Sequence, residues 1–144
     1  HLSSVYRYVL QSQSKTLVTL SEELEFTRSY LFLHEVRLGN CLHCEYDIPA
    51  DSKDSLLPPL TLQLLVENVI KHNSITQSKP MTITIRIENE YLEVSNPIHP
   101  KKTTASSGVG LQNLAKRCQL MSGGDILIER HTEIFTVKVP LLYE

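Results

Sequence analysis

Between Leu60 and Asn73, a largely apolar stretch carries Asn68, Lys71 and His72. They fall at i, i+3 and i+4, a spacing that gathers an amide, an ammonium and an imidazole on one helix face. Such a face suits phosphate chemistry. An Asn oxygen can enter the largely hydrated octahedron of Mg²⁺, and a lysine offers a mobile point charge to phosphate oxygens. The same residues also fit the solvated side of a helix whose other face is buried. A second element is Ser106-Ser107-Gly108-Val109-Gly110-Leu111. Its glycines expose backbone amides, and the N-terminus of a following helix attracts anions. Alone, the glycine pair reads as a turn leading into a helix. The order of the elements gives both more weight: an Asn-bearing helix, a hairpin, a polar loop, then the glycine helix.

Cys41-Leu42-His43-Cys44 has the spacing of a metal hook, but the segment from Cys41 to Ile48 alternates like a strand. Residues three apart on a strand point to opposite faces, and no second pair follows to complete four ligands. With Cys118 the chain has three cysteines, an odd and small number that suits a reducing compartment better than a disulfide scaffold.

The elements that must position these groups are legible from periodicity. Leu2, Val5, Tyr6, Val9 and Leu10 recur at helical spacing. A second helix is predicted to start at Ser21, followed by the carboxylates of Glu22 and Glu23, and to stop at Gly39-Asn40. From Cys41 a strand runs to Ile48-Pro49, and Pro58-Pro59 is predicted to open the apolar helix, proline being tolerated in a first turn. Ile83, Ile85 and Ile87, then Leu92 and Val94, alternate as a hairpin with one buried face. Asn96 continues that period of two and should point to the same side, where a polar side chain requires a partner. Alternatively it caps the strand end before Pro97. A third helix is predicted from Gly108-Val109-Gly110 to Met121, and a last hairpin from Asp125 to Arg130 and Ile134 to Leu141. The sum is an α+β sandwich, with helices on one face of a mixed, mostly antiparallel sheet.

A chain of 144 residues fits one domain plus an appendage. With 14 Lys and Arg against 16 Asp and Glu, no positive excess exists to neutralise a run of phosphates, so no nucleic-acid partner is expected. No stretch is apolar over the ~20 residues that a membrane-spanning helix needs. A start at His1, without Met, suggests a piece of a longer protein.

Leu64-Leu65-Val66-Glu67-Asn68-Val69-Ile70-Lys71-His72-Asn73 resembles the N box of the GHKL ATPase superfamily, and Gly108-Val109-Gly110-Leu111-Gln112-Asn113-Leu114 with Arg117 resembles its last glycine box. Leu2-Ser3, Tyr6-Arg7-Tyr8, Leu20 through Glu25, Tyr30-Leu31 and Arg37 resemble the segment before the ATPase domain in LytS-type sensor histidine kinases. The resemblance implies a helical segment over 1–39, at the end of the dimerisation and phosphoacceptor region. It also implies an ATP-binding catalytic domain of the Bergerat type over 40–144. It makes ATP and Mg²⁺ the cofactors, Asn68 the metal ligand, and Lys71 and His72 neighbours of the phosphates or ribose. Ser107, Gly108, Val109, Gly110 and Leu111 would contact ATP, with Gly108 and Gly110 letting the lid approach the phosphates, and Asn96 would read adenine. The activity implied is transfer of the γ-phosphoryl to a histidine. That residue would lie in an Asn-Pro-His-Phe type motif upstream of residue 1, leaving this piece unable to complete the transfer alone. A response regulator and a second copy are the implied partners, and the parent would be anchored in the bacterial inner membrane with this domain in the cytoplasm.

The chain also departs from the superfamily pattern. Asn96, Ile98 and Pro100 stand where Asp-x-Gly-x-Gly is usual, and the altered motif supports an alternative: a degenerate GHKL domain with weak or no ATP binding, acting as an interaction module. On the recognition reading, Asn96→Asp is expected to tighten ATP binding and not GTP binding. Leu64 occupies the position of the base in hydrolytic members, which argues against a gyrase or chaperone type. The helical segment argues against a serine kinase of the anti-sigma type. His34-Glu35-Val36-Arg37 imitates the phosphoacceptor motif of the commoner histidine kinases, but the predicted strand after it leaves no room for a second hairpin helix, so His34 is not expected to be phosphorylated.

Overall fold

Thr19, not Ser21, caps the first long helix. Its hydroxyl accepts from the Glu22 amide at 3.2 Å, while the Glu22 carboxylate accepts from the Thr19 amide at 3.4 Å, a reciprocal capping box. A cap residue needs extended backbone, which Thr19 has at φ −79° and ψ 153°, whereas Ser21 already lies in the first turn. This helix, α1, spans Leu20–Leu38 and stops at Gly39, whose φ of 60° suits a residue without Cβ. The computed structural model describes Ser3 and residues 17–101 and 109–143; the helical pattern from Leu2 to Leu10 lies, apart from helical Ser3, outside the described residues.

Helix α1 is not packed apart from the rest. Its Leu20, Leu24 and Leu31 belong to the same hydrophobic cluster as the residues that follow position 40. Strand β1 (Val18–Thr19) pairs antiparallel with β3 (Leu56–Leu57), which ties the start of α1 to the chain ahead of the next helix. That helix, α2, spans Thr61–His72 and buries Leu62, Leu65, Val66, Val69 and Ile70, each contributing about 2 kcal/mol of transfer free energy. Pro58 and Pro59 precede it instead of filling its first turn. Leu60 is the N-cap, left-handed at φ 66°, with no side-chain cap of its own.

The cap comes from α1. Glu23 is fully buried, and its carboxylate accepts from the amides of Leu60 and Leu62, both at 3.0 Å. A carboxylate at the positive end of a helix satisfies otherwise orphaned donors and is stabilised by them. From the other side Arg117 donates to the Pro59 carbonyl at 2.8 Å.

The main sheet contains β2 (Leu42–Asp47), β4 (Met81–Glu88), β5 (Tyr91–Pro97), β6 (Leu127–Arg130) and β7 (Ile134–Pro140), in the order β2-β4-β5-β7-β6. Only β2 with β4 is parallel. The β4–β5 turn holds Asn89 and Glu90 at φ 51° and 65°, the pair of positive angles that a tight two-residue hairpin demands. Period two then divides the sheet. Ile83, Ile85, Leu92, Val94 and Val139 face the helices and are buried. On the opposite face Glu93 bridges Arg86 at 2.5 Å and Lys138 at 3.3 Å, and Lys138 reaches Glu129 at 2.7 Å. The third helix of the helical layer, α3 (Val109–Ser122), contributes Leu114 and Cys118 to the core.

Candidate functional site

Where α2 and the start of α3 lie over the helix-facing side of β5, β7 and β6, they enclose a cavity of about 370 Å³. Leu65, Val69, Val94, Val137, Ile98 and Ile128 give it apolar walls, while Asn68, His72, Asn73, Asn96, Lys101 and Arg130 supply the polar groups. A concave, mostly apolar site with a few convergent polar groups is the usual form of a small-molecule site.

Four of the residues singled out from sequence meet here: Asn68 and His72 from α2, Asn96 from β5 and Leu111 from α3. Lys71 is exposed and does not line the cavity. Val109 and Gly110, in the first turn of α3, are also outside the lining; a Cβ on Gly110 would meet Leu64 Cδ1 at an ordinary 3.5 Å. Ser107 and Gly108 lie outside the described residues. Lys101, Arg130 and Phe135 line the cavity and were not singled out from sequence. For Arg130 and Phe135 a signal existed, because alternation in the last hairpin places them on the buried side. For Lys101 none did.

Asn73 explains how Lys101 arrives. This buried residue donates from Nδ2 to the Val69 carbonyl at 2.9 Å and accepts at Oδ1 from the His99 amide at 2.8 Å. Ser74 N–H adds a bond to the His99 carbonyl at 2.7 Å. The segment after β5 is thereby clamped to the C-terminal end of α2, beside His72. Burial, followed by the charges of Lys71 and Lys101, holds the His72 imidazole below its ordinary pKa. The neighbourhood disfavours a further positive charge and so favours an anion.

Asn96 is only 4 % exposed, and its Nδ2 donates to the Pro97 carbonyl at 2.7 Å. A carbonyl oxygen can only accept, so the amide nitrogen must be the atom facing it and the orientation of the side chain is fixed by chemistry. The Oδ1 acceptor is directed away from that bond and has no partner among the described residues. Its donor thus caps the strand end, and the same residue lines the cavity. An aspartate in this position would set two acceptors against each other at Pro97.

Two other candidates sit elsewhere. His34 on α1 accepts at Nδ1 from Arg37 at 3.2 Å and packs its ring 4.8 Å from that of Tyr30, while α1 leads directly through a short 3₁₀ turn into β2. Burial pushes the Cys44 thiol up to about 11, the opposite of what a thiolate metal ligand requires.

A family model described as histidine kinase matches residues 1–42. The sensor histidine kinase BtsS of Escherichia coli is 31% identical over 130 residues, covering 87% of this chain and 23% of that protein. The sensor protein LytS of Enterococcus faecalis is 29% identical over 147 residues, covering 89% of this chain and 25% of that protein. The chain belongs to the LytS-type sensor histidine kinases. It thus spans about a quarter of the length of these relatives. The cytoplasmic segment of the histidine kinase QseC superposes with a TM-score of 0.62 at 13% identity, over 89% of this chain and 78% of that one. At that identity the likeness speaks for the fold alone. The fold is that of the histidine-kinase catalytic domains, an α+β sandwich as the sequence pattern implied, and the family places the chain in two-component signal transduction.

Proposed function

We propose that the cavity binds ATP with Mg²⁺, and that the chain serves a longer sensor kinase as its ATP-binding catalytic domain, presenting the γ-phosphoryl to a histidine of that protein. The observation that carries this reading is the polarity of one cavity. Asn96 Oδ1 offers an acceptor for an exocyclic amino group at the sheet, while Asn68, His72 and Lys101 gather an amide, an imidazole and an ammonium around the end of α2. The residues present suit the metal only in company with a nucleotide. Among the described residues no cluster of three His, Cys, Asp or Glu side chains could hold an ion. Asn68, whose side chain makes no hydrogen bond among the described residues, supplies a single neutral oxygen, so phosphate oxygens and water would complete an octahedron. Bound there, Mg²⁺ would withdraw charge from the phosphoryl oxygens.

The protein's own share is positioning and electrostatics. Asn96 orients the base, Lys101 and the more peripheral Lys71 neutralise phosphate charge, and the N-terminal turn of α3 with Gly110 gives backbone approach. Apolar Leu64 packs beside that turn where hydrolytic relatives of the superfamily keep a base. This suits transfer to an imidazole, which is its own nucleophile, and disfavours transfer to water. In the longer protein the domain would act within a homodimer and pass the phosphoryl to a response regulator. That parent would be anchored in the inner membrane with this domain in the cytoplasm; no described helix of this chain is long and apolar enough to cross a membrane.

Titration calorimetry of this chain with a non-hydrolysable ATP analogue, with and without Mg²⁺, tests the reading. Binding that tightens with Mg²⁺, with no heat from Mg²⁺ alone, is the expected result. Absence of binding under both conditions would instead favour the degenerate interaction module. Gly110→Ala sharpens the test, since the methyl group fits beside Leu64: an unchanged melting temperature with weakened binding would place the ligand against that backbone.

A further inference from the structure

We propose that Arg130 is a base-contacting residue, closing the sheet-side mouth of the cavity over the ring of the bound nucleotide; this rests on the nucleotide reading above. The strand register carries the inference. Asn96 on β5 lies directly opposite Phe135 on β7, and Phe135 lies directly opposite Arg130 on β6. Side chains in one such row share a face, and all three line the cavity. With strands about 4.8 Å apart, the row extends roughly 10 Å from a fixed acceptor, across an aromatic ring, to a guanidinium. Exposure rises along it: Asn96 is buried, Phe135 half-buried and Arg130 exposed. A second row, Val94, Val137 and Ile128, runs beside it and adds an apolar floor.

Arg130 is also available. Its guanidinium carbon stands 6.0 Å from the Phe135 ring centroid, at the long end of a cation–π contact, and among the described residues no carboxylate bridges it. The cations of the opposite face, Arg86 and Lys138, are instead held by Glu88, Glu93 and Glu129. A flat heterocycle whose amino group meets Asn96 would lie along the row, and exchanging one π face for another would cost the guanidinium little. The planar cation then covers the ring and excludes water from the amide contact beneath it.

Calorimetry with AMP, ADP and the non-hydrolysable ATP analogue, on wild type, Arg130→Gln and Arg130→Lys, tests this. The expected result is a loss of about fivefold for Arg130→Gln, the same for all three nucleotides, and only partial recovery with lysine, which keeps the charge but not the plane. Melting temperatures should be unchanged, since the side chain is exposed. A loss that grows from AMP to ATP would make Arg130 a phosphate ligand and overturn the proposal. Unaltered affinity for every nucleotide would make it a bystander. If wild type binds none of the three, the nucleotide reading fails and this inference falls with it.

Discussion

Asn96 and Asn68 are the same residue type in the same cavity, yet the structure holds them by different means. Asn96 belongs to a strand paired on both sides, is almost fully buried, and has its amide committed to the Pro97 carbonyl. Asn68 projects from the last turns of α2, half-buried and with no side-chain hydrogen bond among the described residues, near His72 and Lys101. One end of the cavity is thus preorganised by backbone pairing, and the other is a set of uncommitted groups on a helix end and the segment clamped to it. Recognition of a rigid ring benefits from the first arrangement. Polyphosphate and a hydrated ion, which bring their own ligands, require only the second. Substitution of buried Asn96 should therefore disturb folding and binding together, and substitution of Asn68 binding alone.

Asn68→Ala should have the largest effect on binding, removing at least about tenfold of the Mg²⁺-dependent ATP affinity, by analogy with lost metal contacts elsewhere. Its melting temperature should stay at the wild-type value in a thermal scan, and a large drop there would break the contrast between the ends. Asn96→Asp comes next and acts on both properties. A charged acceptor should gain of order 1 kcal/mol toward the adenine amino group, while loss of the bond to Pro97 removes about 1 kcal/mol. The several-fold tightening expected from sequence then shrinks to less than about threefold, and the melting temperature falls. The opposed carbonyl raises the pKa of the new carboxyl in the folded state. Its destabilisation should consequently be absent at low pH and grow as pH rises through that folded value. Strong tightening at unchanged melting temperature would show that the Pro97 bond does not hold Asn96 in solution.

Smaller effects belong to the cations. Lys101→Met should weaken ATP binding about threefold and Lys71→Met less, because only Lys101 lines the cavity; both losses should fade at high salt, where exposed charges are screened. Equal losses, measured by calorimetry at two salt concentrations, would return Lys71 to the site. His72 gives a pH signature. Its folded pKa is depressed below the unfolded value, so its contribution to stability is present above the ordinary histidine range and is lost as pH falls below it. A bound polyphosphate would reverse the local charge, so ATP should bind more tightly as pH falls, with proton uptake that disappears in His72→Gln. At the bottom of the scale, His34→Gln should leave phosphate incorporation into a full-length kinase unchanged. Acid-labile phosphate lost specifically with that substitution would contradict the placement of His34 on a helix that runs into β2.

Much of the fold was legible because helix and strand periods and turn residues act locally. The hairpin around Asn89-Glu90, the apolar helix and the face of Asn96 all followed from spacing. Two starts were misplaced. Ser21 and Thr19 are both acceptable caps by residue type, and only the reciprocal bond with Glu22 distinguishes them. The prolines before α2 were assigned to its first turn because a proline there costs no hydrogen bond, whereas the observed start is set by a left-handed Leu60.

By itself, then, the sequence determined the long helices and the strands of the main sheet, their order, and the face to which each strand residue belongs. Tertiary structure alone decided the partners. Glu23 reads locally as a carboxylate favouring its own helix, but it caps a helix 37 residues away, where a buried carboxylate finds amide donors. Lys101, which no period marks, reaches the cavity because Asn73 clamps the preceding segment to α2. The row from Asn96 through Phe135 to Arg130 exists only in the register of three strands. Periodicity assigns a side chain to a face, since that follows from the geometry of one segment. What it meets there depends on how distant segments are brought into register, and no single segment carries that information.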